Sequence, residues 1–164
     1  MQYQPPLFEN KIIKPSQLLS QLSNIKQGNQ LVFTNGCFDI LHRGHVTYLA
    51  QAKSLGKSLI VALNSDESVR RLGKGSDRPI NNLSNRMAVI ASLESVDYVT
   101  SFDEDTPLEL IKLIKPQILV KGGDWNIDKI IGSSEVFAYG GQVHSIPFLF
   151  DTSTTNLINR IRHE

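Results

Sequence analysis

Apolar positions along this chain follow two rhythms. Short, β-branched, nearly continuous runs occur at LVFT (31–34), SLIVALN (58–64), YVTSF (98–102), ILVK (118–121) and QVHSIP (142–147). Each reads as a strand buried on both faces. Between them, apolar residues recur at helical spacing: Leu18, Leu19, Leu22 and Ile25, then Val46, Leu49 and Ala50, then Met87, Ile90, Ala91 and Leu93. The same spacing returns in Leu110, Ile111, Leu113 and Ile114, and in Leu157, Ile158 and Ile161. Start signals stand where these helices need them. Ser16 and Ser84 are candidate caps, as are Ser65 or Asp66 for a short helix and Ser153 or Thr154 for the last one. Thr106-Pro107-Leu108-Glu109 reads as a capping box with proline at the first helical position.

Strands alternating with helices over the whole length predict a Rossmann-like, doubly wound α/β fold. It would have a sheet of about five parallel strands with helices on both faces. Residues 1–29, with Pro5 and Pro6, are expected to form an arm and a helix packed on a single domain at 30–164. GKGSDRPINN (73–82) is glycine-rich, polar and without period, and reads as a mobile loop. Sheets of this kind bind ligands beyond the carboxyl ends of their strands. Here the ends of the first, second and fourth predicted strands read TNGCFD, NSDE and KGGD, so polar chemistry gathers on one edge.

Bulk properties then narrow the partners. Seventeen basic against 16 acidic residues leave a net charge of +1, which gives no broad footprint for nucleic acid. The single cysteine, Cys37, excludes an internal disulfide framework and suits a reducing compartment. No run approaches the roughly 18 apolar residues of a membrane span, and MQYQPPLFENK has no apolar signal region. A cytoplasmic protein with neither nucleic acid nor membrane as partner is expected.

The stretch NGCFDILHRGH (35–45) concentrates the candidate chemistry. As a metal site it would offer His42 and His45, with Cys37 and Asp39 nearby. Zinc wants a third and usually a fourth ligand, and no paired cysteines exist. As a redox turn it lacks a resolving cysteine. As a plain turn it would be Asn35-Gly36 followed by surface histidines. As an anion cradle it explains more. Gly36 admits close backbone approach, the following helix offers unpaired N–H groups, and both histidines project over the same spot. Gly44 would keep bulk away from a phosphate or base. Neither common glycine-rich phosphate fingerprint is present.

Three further clusters carry two readings each. Asp151-Thr152-Ser153-Thr154-Thr155 opens the last helix, as a plain cap or as a row of hydroxyls and N–H groups for an anion. Lys121-Gly122-Gly123-Asp124-Trp125 is a turn with a surface lysine, or a point charge for phosphate beside open backbone. The loop residues Lys74 and Arg78, with Arg86 on the next helix, are solvated basic residues or phosphate contacts. Asn64 and Asp66 close the second strand and are further candidates.

Thr34-Asn35-Gly36-Cys37-Phe38-Asp39 followed by His42-Arg43-Gly44-His45 resembles the nucleotidyltransferase superfamily marked by HxGH. Its members join a nucleoside triphosphate to a phosphorylated small molecule and release pyrophosphate. From Leu31 to Ile161 the chain resembles the heptose 1-phosphate adenylyltransferases of ADP-heptose synthesis. The resemblance is carried by TNGCFDILHRGHVTYLAQAKSLG, VALNSDESVRRLGKG, DRPIN, NRMAVIASLESVDYV, FDEDTPLELI, ILVKGGDW and STTNLI. Many such domains are fused to a sugar kinase, and this length suits the stand-alone form. Two departures are small: Cys37 stands where the family often has valine, and Trp125 where tyrosine is frequent. Glycerol 3-phosphate cytidylyltransferases share HxGH but carry a G-I-S-T run where this chain has FLFDTSTT.

The resemblance implies transfer of AMP from ATP to D-glycero-β-D-manno-heptose 1-phosphate, giving ADP-heptose and pyrophosphate for lipopolysaccharide inner core. It implies that His42 and His45 donate to the α- and β-phosphates, with Lys121 and Arg86 adding positive charge. ATP would be held by Thr34 through Asp39, by Gly44, Asn64, Gly122 and Asp124, and by Thr152, Ser153, Thr154 and Thr155. Mg²⁺ would accompany ATP, Asp39 would orient either a histidine or the metal, and a homodimer is expected by analogy. A cytidylyltransferase acting on a phospho-alcohol and a non-catalytic nucleotide-binding module remain as alternatives.

Overall fold

The computed structural model describes residues 4–26, 30–73, 75, 77–150 and 152–162. Five strands, β1 (Leu31–Gly36), β2 (Ser58–Asn64), β3 (Tyr98–Phe102), β4 (Ile118–Gly122) and β5 (Gln142–Ile146), form one sheet in the order β3-β2-β1-β4-β5. Every pairing is parallel. The helices are α1 (Pro15–Ile25), α2 (Arg43–Ser54), α3 (Asp66–Arg71), α4 (Leu83–Ala91), α5 (Leu108–Ile114), α6 (Ser133–Ala138) and α7 (Thr154–Arg162). The chain winds outward from β1 to β3, then crosses back to place β4 on the other side of β1. The strand order therefore reverses between β1 and β4, where a crevice opens at the carboxyl edge.

Alternation along the strands explains the continuous apolar runs. Leu31 and Phe33 join one buried cluster with Leu18, Ile111, Leu119 and Val136, on the face of α1, α5 and α6. Val32 points the other way, into a cluster with Leu49, Leu59, Val61, Ile90 and Val120 under α2 and α4. With helices on both faces, no strand position in the sheet's middle can be polar at low cost.

The segment before β1 is built into this core. Ile13, Leu18 and Ile25 are buried, and a 3₁₀ turn at Leu7–Lys11 leads into a parallel bridge between Ile12 and Val99. The Ile13 N–H donates to the Val99 carbonyl at 2.8 Å.

Some caps differ from the expected ones. Ser65 caps α3, its Oγ accepting the Ser68 N–H at 3.0 Å, and Ser153 Oγ accepts the Asn156 N–H at 3.1 Å ahead of α7. Asn82 rather than Ser84 caps α4, accepting the Asn85 N–H at 3.0 Å. Lys14 rather than Ser16 stands at the N-cap of α1, because Pro15 takes the first helical position, where its missing N–H costs nothing. The capping box at α5 does not form. Pro107 stands at the N-cap, and no side chain bonds the free N–H groups there. The strand ends shift as well: β1 runs on through Asn35 and Gly36, which pair in register with Ala62 and Leu63.

Candidate active site

At the end of β1 the chain must turn from the sheet into α2. Phe38 does this with a positive φ of 47°, uncommon for a residue with a side chain. Its ring folds back over Gly36, where a Cβ would lie 2.9 Å from the ring, so glycine is required for this packing. His42 follows at the N-cap of α2 in extended backbone, with no side-chain capping bond. Its ring stacks on that of His45 at 3.8 Å between centroids and 24° between planes. The Phe38 ring meets His45 edge-on at 5.2 Å. Gly44 differs from its expected role. A Cβ there would lie 3.1 Å from the His42 ring, so the glycine makes room for the histidine, not for a phosphate or base.

Burial pushes the His42 pKa below its ordinary value, so the ring is neutral at pH 7. A neutral imidazole keeps one N–H to donate, and the helix N-terminus beneath it favours an anion.

Behind the histidines lies a polar brace. The Asp39 carboxylate accepts from Arg78 Nε at 2.5 Å, from the Ile80 N–H at 3.0 Å and from the Asn81 N–H at 2.9 Å. Burial alone would push this carboxyl up. The hydrogen bonds from Asn81 and Ile80, with the Arg78 guanidinium, outweigh it and hold the pKa below the usual carboxylate range. Arg86 is almost wholly buried. Its guanidinium donates to the carbonyls of Cys37 at 2.7 Å, Asn64 at 2.9 Å and Asn81 at 3.0 Å, and to Asp66 Oδ1 at 2.7 Å. It thus ties the ends of β1 and β2 to the start of α4.

These contacts correct four expectations. Arg86 does not line the cleft, and its donors are spent on carbonyls and Asp66, so it positions backbone instead of meeting phosphate. Asp39 orients neither a histidine nor a cation, since its oxygens hold the loop at 78–81. Asn64 is buried and donates to Ser68 Oγ at 3.0 Å, away from the cleft. Thr34 is buried too, its hydroxyl 2.5 Å from that of Tyr48. Asp124 is exposed and also lies outside the cleft lining. Lys74 lies outside the described residues.

The remaining expected residues converge. A cleft of about 590 Å³ opens at the β1–β4 switch point. One wall is Asn35 to Asp39 with His42 and His45; Lys121 and Gly122 form its floor, and Thr152 to Thr155 the opposite wall. Arg78 reaches its rim beside Gly73. Two lining residues escaped the reading of the sequence. Tyr48 sits one helical turn beyond His45, and Phe148 packs edge-on against it at 5.8 Å. The only trace of Phe148 was an apolar FLF where a polar turn was due.

A stacked histidine pair at one helix start, hydroxyls at another and a lysine between them give this α/β protein a cradle suited to a polyphosphate at a strand-order switch. The family model for cytidylyltransferase-like proteins matches residues 33–160. A D-beta-D-heptose 1-phosphate adenylyltransferase from Bordetella bronchiseptica is 54% identical over 94% of this chain and 96% of its own length. The bifunctional protein HldE of Alcanivorax borkumensis is 51% identical over 93% of this chain, which spans only 32% of that protein. Among solved structures, a lipopolysaccharide core biosynthesis protein from Thermoplasma volcanium superposes with a TM-score of 0.62 at 32% identity. That match covers 74% of this chain and 97% of the other. A pantoate-beta-alanine ligase from Francisella tularensis, at 15% identity and TM-score 0.65 over 90% of this chain and 72% of its own, shares the fold. The chain belongs to the cytidylyltransferase-like family of nucleotidyltransferases, on its heptose 1-phosphate adenylyltransferase branch.

Proposed function

We propose that the protein transfers AMP from ATP to D-glycero-β-D-manno-heptose 1-phosphate, releasing pyrophosphate and ADP-heptose destined for lipopolysaccharide inner core. The observation that carries this reading is the stacked His42–His45 pair facing the α7 hydroxyl turn across one cleft, in a chain so similar to an adenylyltransferase over its whole matched length.

The reaction is a single in-line displacement. A phosphate monoester has a second pKa of about 6, so the acceptor is already mostly a dianion at neutral pH. It needs no general base. An oxygen of the sugar phosphate attacks the α-phosphorus, that bond forms, and the bond to the β-phosphate oxygen breaks. Catalysis then rests on managing charge around the crowded phosphorus and the leaving pyrophosphate. His42 and His45 donate to the α- and β-phosphate oxygens. Lys121 supplies positive charge from the floor. Ser153, Thr154 and the N-terminus of α7 hold the β- and γ-phosphates. Arg86 acts only by fixing the carbonyls of Cys37 and Asn64.

Among the described residues no three His, Cys, Asp or Glu side chains gather as a cation site, and Asp39 is fully engaged. A magnesium ion would then be carried by the triphosphate itself and would supply positive charge against the phosphate oxygens. An ATP-consuming step of this kind belongs in the cytoplasm, and no helix among the described residues is long and apolar enough to cross a membrane. Size-exclusion chromatography tests the homodimer that family analogy suggests.

Pyrophosphate release, assayed with ATP or CTP against heptose 1-phosphate or glycerol 3-phosphate, tests the assignment. Turnover is expected only with ATP and heptose 1-phosphate. Preference for CTP and glycerol 3-phosphate, or binding of ATP without turnover on any acceptor, overturns it.

A further inference from the structure

A second, smaller cavity of about 230 Å³ lies on the other side of Asn35 and Lys121. These two residues line both spaces. Strand alternation explains why. Asn35 follows Phe33, and Lys121 follows Leu119, on the sheet face covered by α5 and α6, whereas the histidines arrive from α2 on the opposite face. The small cavity is therefore reached from the face opposite the triphosphate cradle.

Its lining has an unusual composition for a phosphate-handling edge. Trp125, Ile130 and Ile131 form an apolar wall, with Lys129 beside them. Trp125 is 51% exposed, yet its indole is fixed. Its Nε1 donates to the Gly122 carbonyl at 3.0 Å, and its backbone N–H donates to Ser145 Oγ at 3.0 Å. Gly123, at a φ of 116°, brings the backbone so close that a Cβ would lie 2.7 Å from Nε1. The turn is shaped around a half-open aromatic face. Such a face, with aliphatic neighbours and a cation at the rim, suits a ligand with a C–H surface and outward hydroxyls. A pyranose ring has both.

Resting on the transferase reading above, we infer that this cavity is the acceptor subsite. It takes the ring of the sugar 1-phosphate against Trp125, with Lys129 at its hydroxyls and its phosphate between Asn35 and Lys121. The in-line geometry supports the assignment. The attacking oxygen must approach the α-phosphorus from the side away from the leaving pyrophosphate, and an acceptor entering from the α5–α6 face does so. Size also separates the two spaces: the larger cleft matches a nucleoside triphosphate, and the smaller one matches a single ring.

Trp125 is the only tryptophan in the chain, so its emission reports this subsite alone. Titration of the whole protein with heptose 1-phosphate should change the emission saturably, in the wild type and equally in His45→Ala. Inorganic phosphate alone should not. Trp125→Ala is expected to raise KM for heptose 1-phosphate about tenfold while leaving KM for ATP within about twofold, and Trp125→Phe should recover most of the loss. Lys129→Ala should raise the same KM by a few-fold. Unchanged emission during full turnover overturns the assignment, as does an equal response to inorganic phosphate or a Trp125→Ala effect confined to ATP. If the wild type releases no pyrophosphate, the transferase reading fails, but the titration still decides whether the sugar phosphate occupies this cavity.

Discussion

The two walls of the cleft are built by opposite means. The wall at the end of β1 rests on two arginines taken out of water: Arg78 with Asp39, at 5% and 0% side-chain exposure, and Arg86 with Asp66, at 0% and 28%. The wall made by residues 147–150 and 152–155 has no such buried ion pair among the described residues. Thr154 Oγ1 donates to the Ile40 carbonyl at 3.2 Å, Arg43 lies 3.8 Å over the Phe150 ring, and Arg162 pairs with Asp77 on the surface. Phe148 is more than half exposed. Burying a guanidinium is expensive, and it persists only where the donors are matched by acceptors. Here the matched acceptors include the strand-end carbonyls beneath the histidines. On the proposed mechanism, donors to a transition state must not move, whereas the wall assigned to the pyrophosphate must let a product leave at every turnover.

If this contrast holds, the braced wall should fail first in stability and the open wall in nucleotide affinity. Arg86→Ala leaves the carbonyls of Cys37, Asn64 and Asn81 without their donor and should cost about 3–5 kcal/mol, read by urea denaturation. Arg86→Lys should recover only part, since one ammonium cannot reproduce a fork of donors. An unchanged unfolding midpoint in Arg86→Ala would refute the brace. His45→Ala comes next. It should lower kcat about 10²- to 10³-fold with a smaller change in midpoint than Arg86→Ala, because the ring donates in the transition state. Near-normal kcat at saturating Mg·ATP would show that the histidine pair is misassigned. Thr154→Ala should cost about 1 kcal/mol and raise KM for ATP several-fold with kcat largely kept. A kcat effect larger than the KM effect would mean that this wall, too, acts in the chemical step.

The smallest effect is pH dependence. Both His42 and Asp39, on the braced wall, have pKa values lowered by the fold. The unfolded chain therefore binds their protons first, and stability falls as the medium turns acid. The His42 contribution is complete above its ordinary value of 6.5 and declines as pH falls through its lowered folded value. The Asp39 contribution is lost further down, below its ordinary 3.8. Unfolding free energy measured from pH 7.5 to 5 should decline in the wild type and flatten in His42→Gln. An unchanged slope in that variant would remove His42 from the account.

What could be read from the residues alone is what depends on near neighbours. The strand runs and the Ser153 cap are local, and the placement of polar strand ends on one edge follows from alternation of elements. What failed depends on partners far along the chain. Arg86 looks like a phosphate ligand until Cys37, 49 positions away, and Asn64, 22 away, are seen to take its N–H groups. Asp39 looks like a metal or histidine partner until Arg78, 39 positions on, occupies it. A basic residue near an anion site has the same sequence whether it faces ligand or backbone. The α5 capping box failed for a different reason: Pro107 moved out of the helix to the cap, which removed the register the motif needs.

The parallel bridge between Ile12 and Val99 has a consequence for the molecule's behaviour in a crowded solution. β3 is the outermost strand on its side of the sheet, and an outermost strand offers a row of unpaired N–H and C=O groups to any other chain. Ile12 and Ile13 lie along that row and bond to it at Val99, with the Lys11 ammonium reaching the Leu93 carbonyl at 3.0 Å just beyond. The residues before α1 thus act as a guard rail over this edge at Val99, where a second chain would otherwise find a free carbonyl.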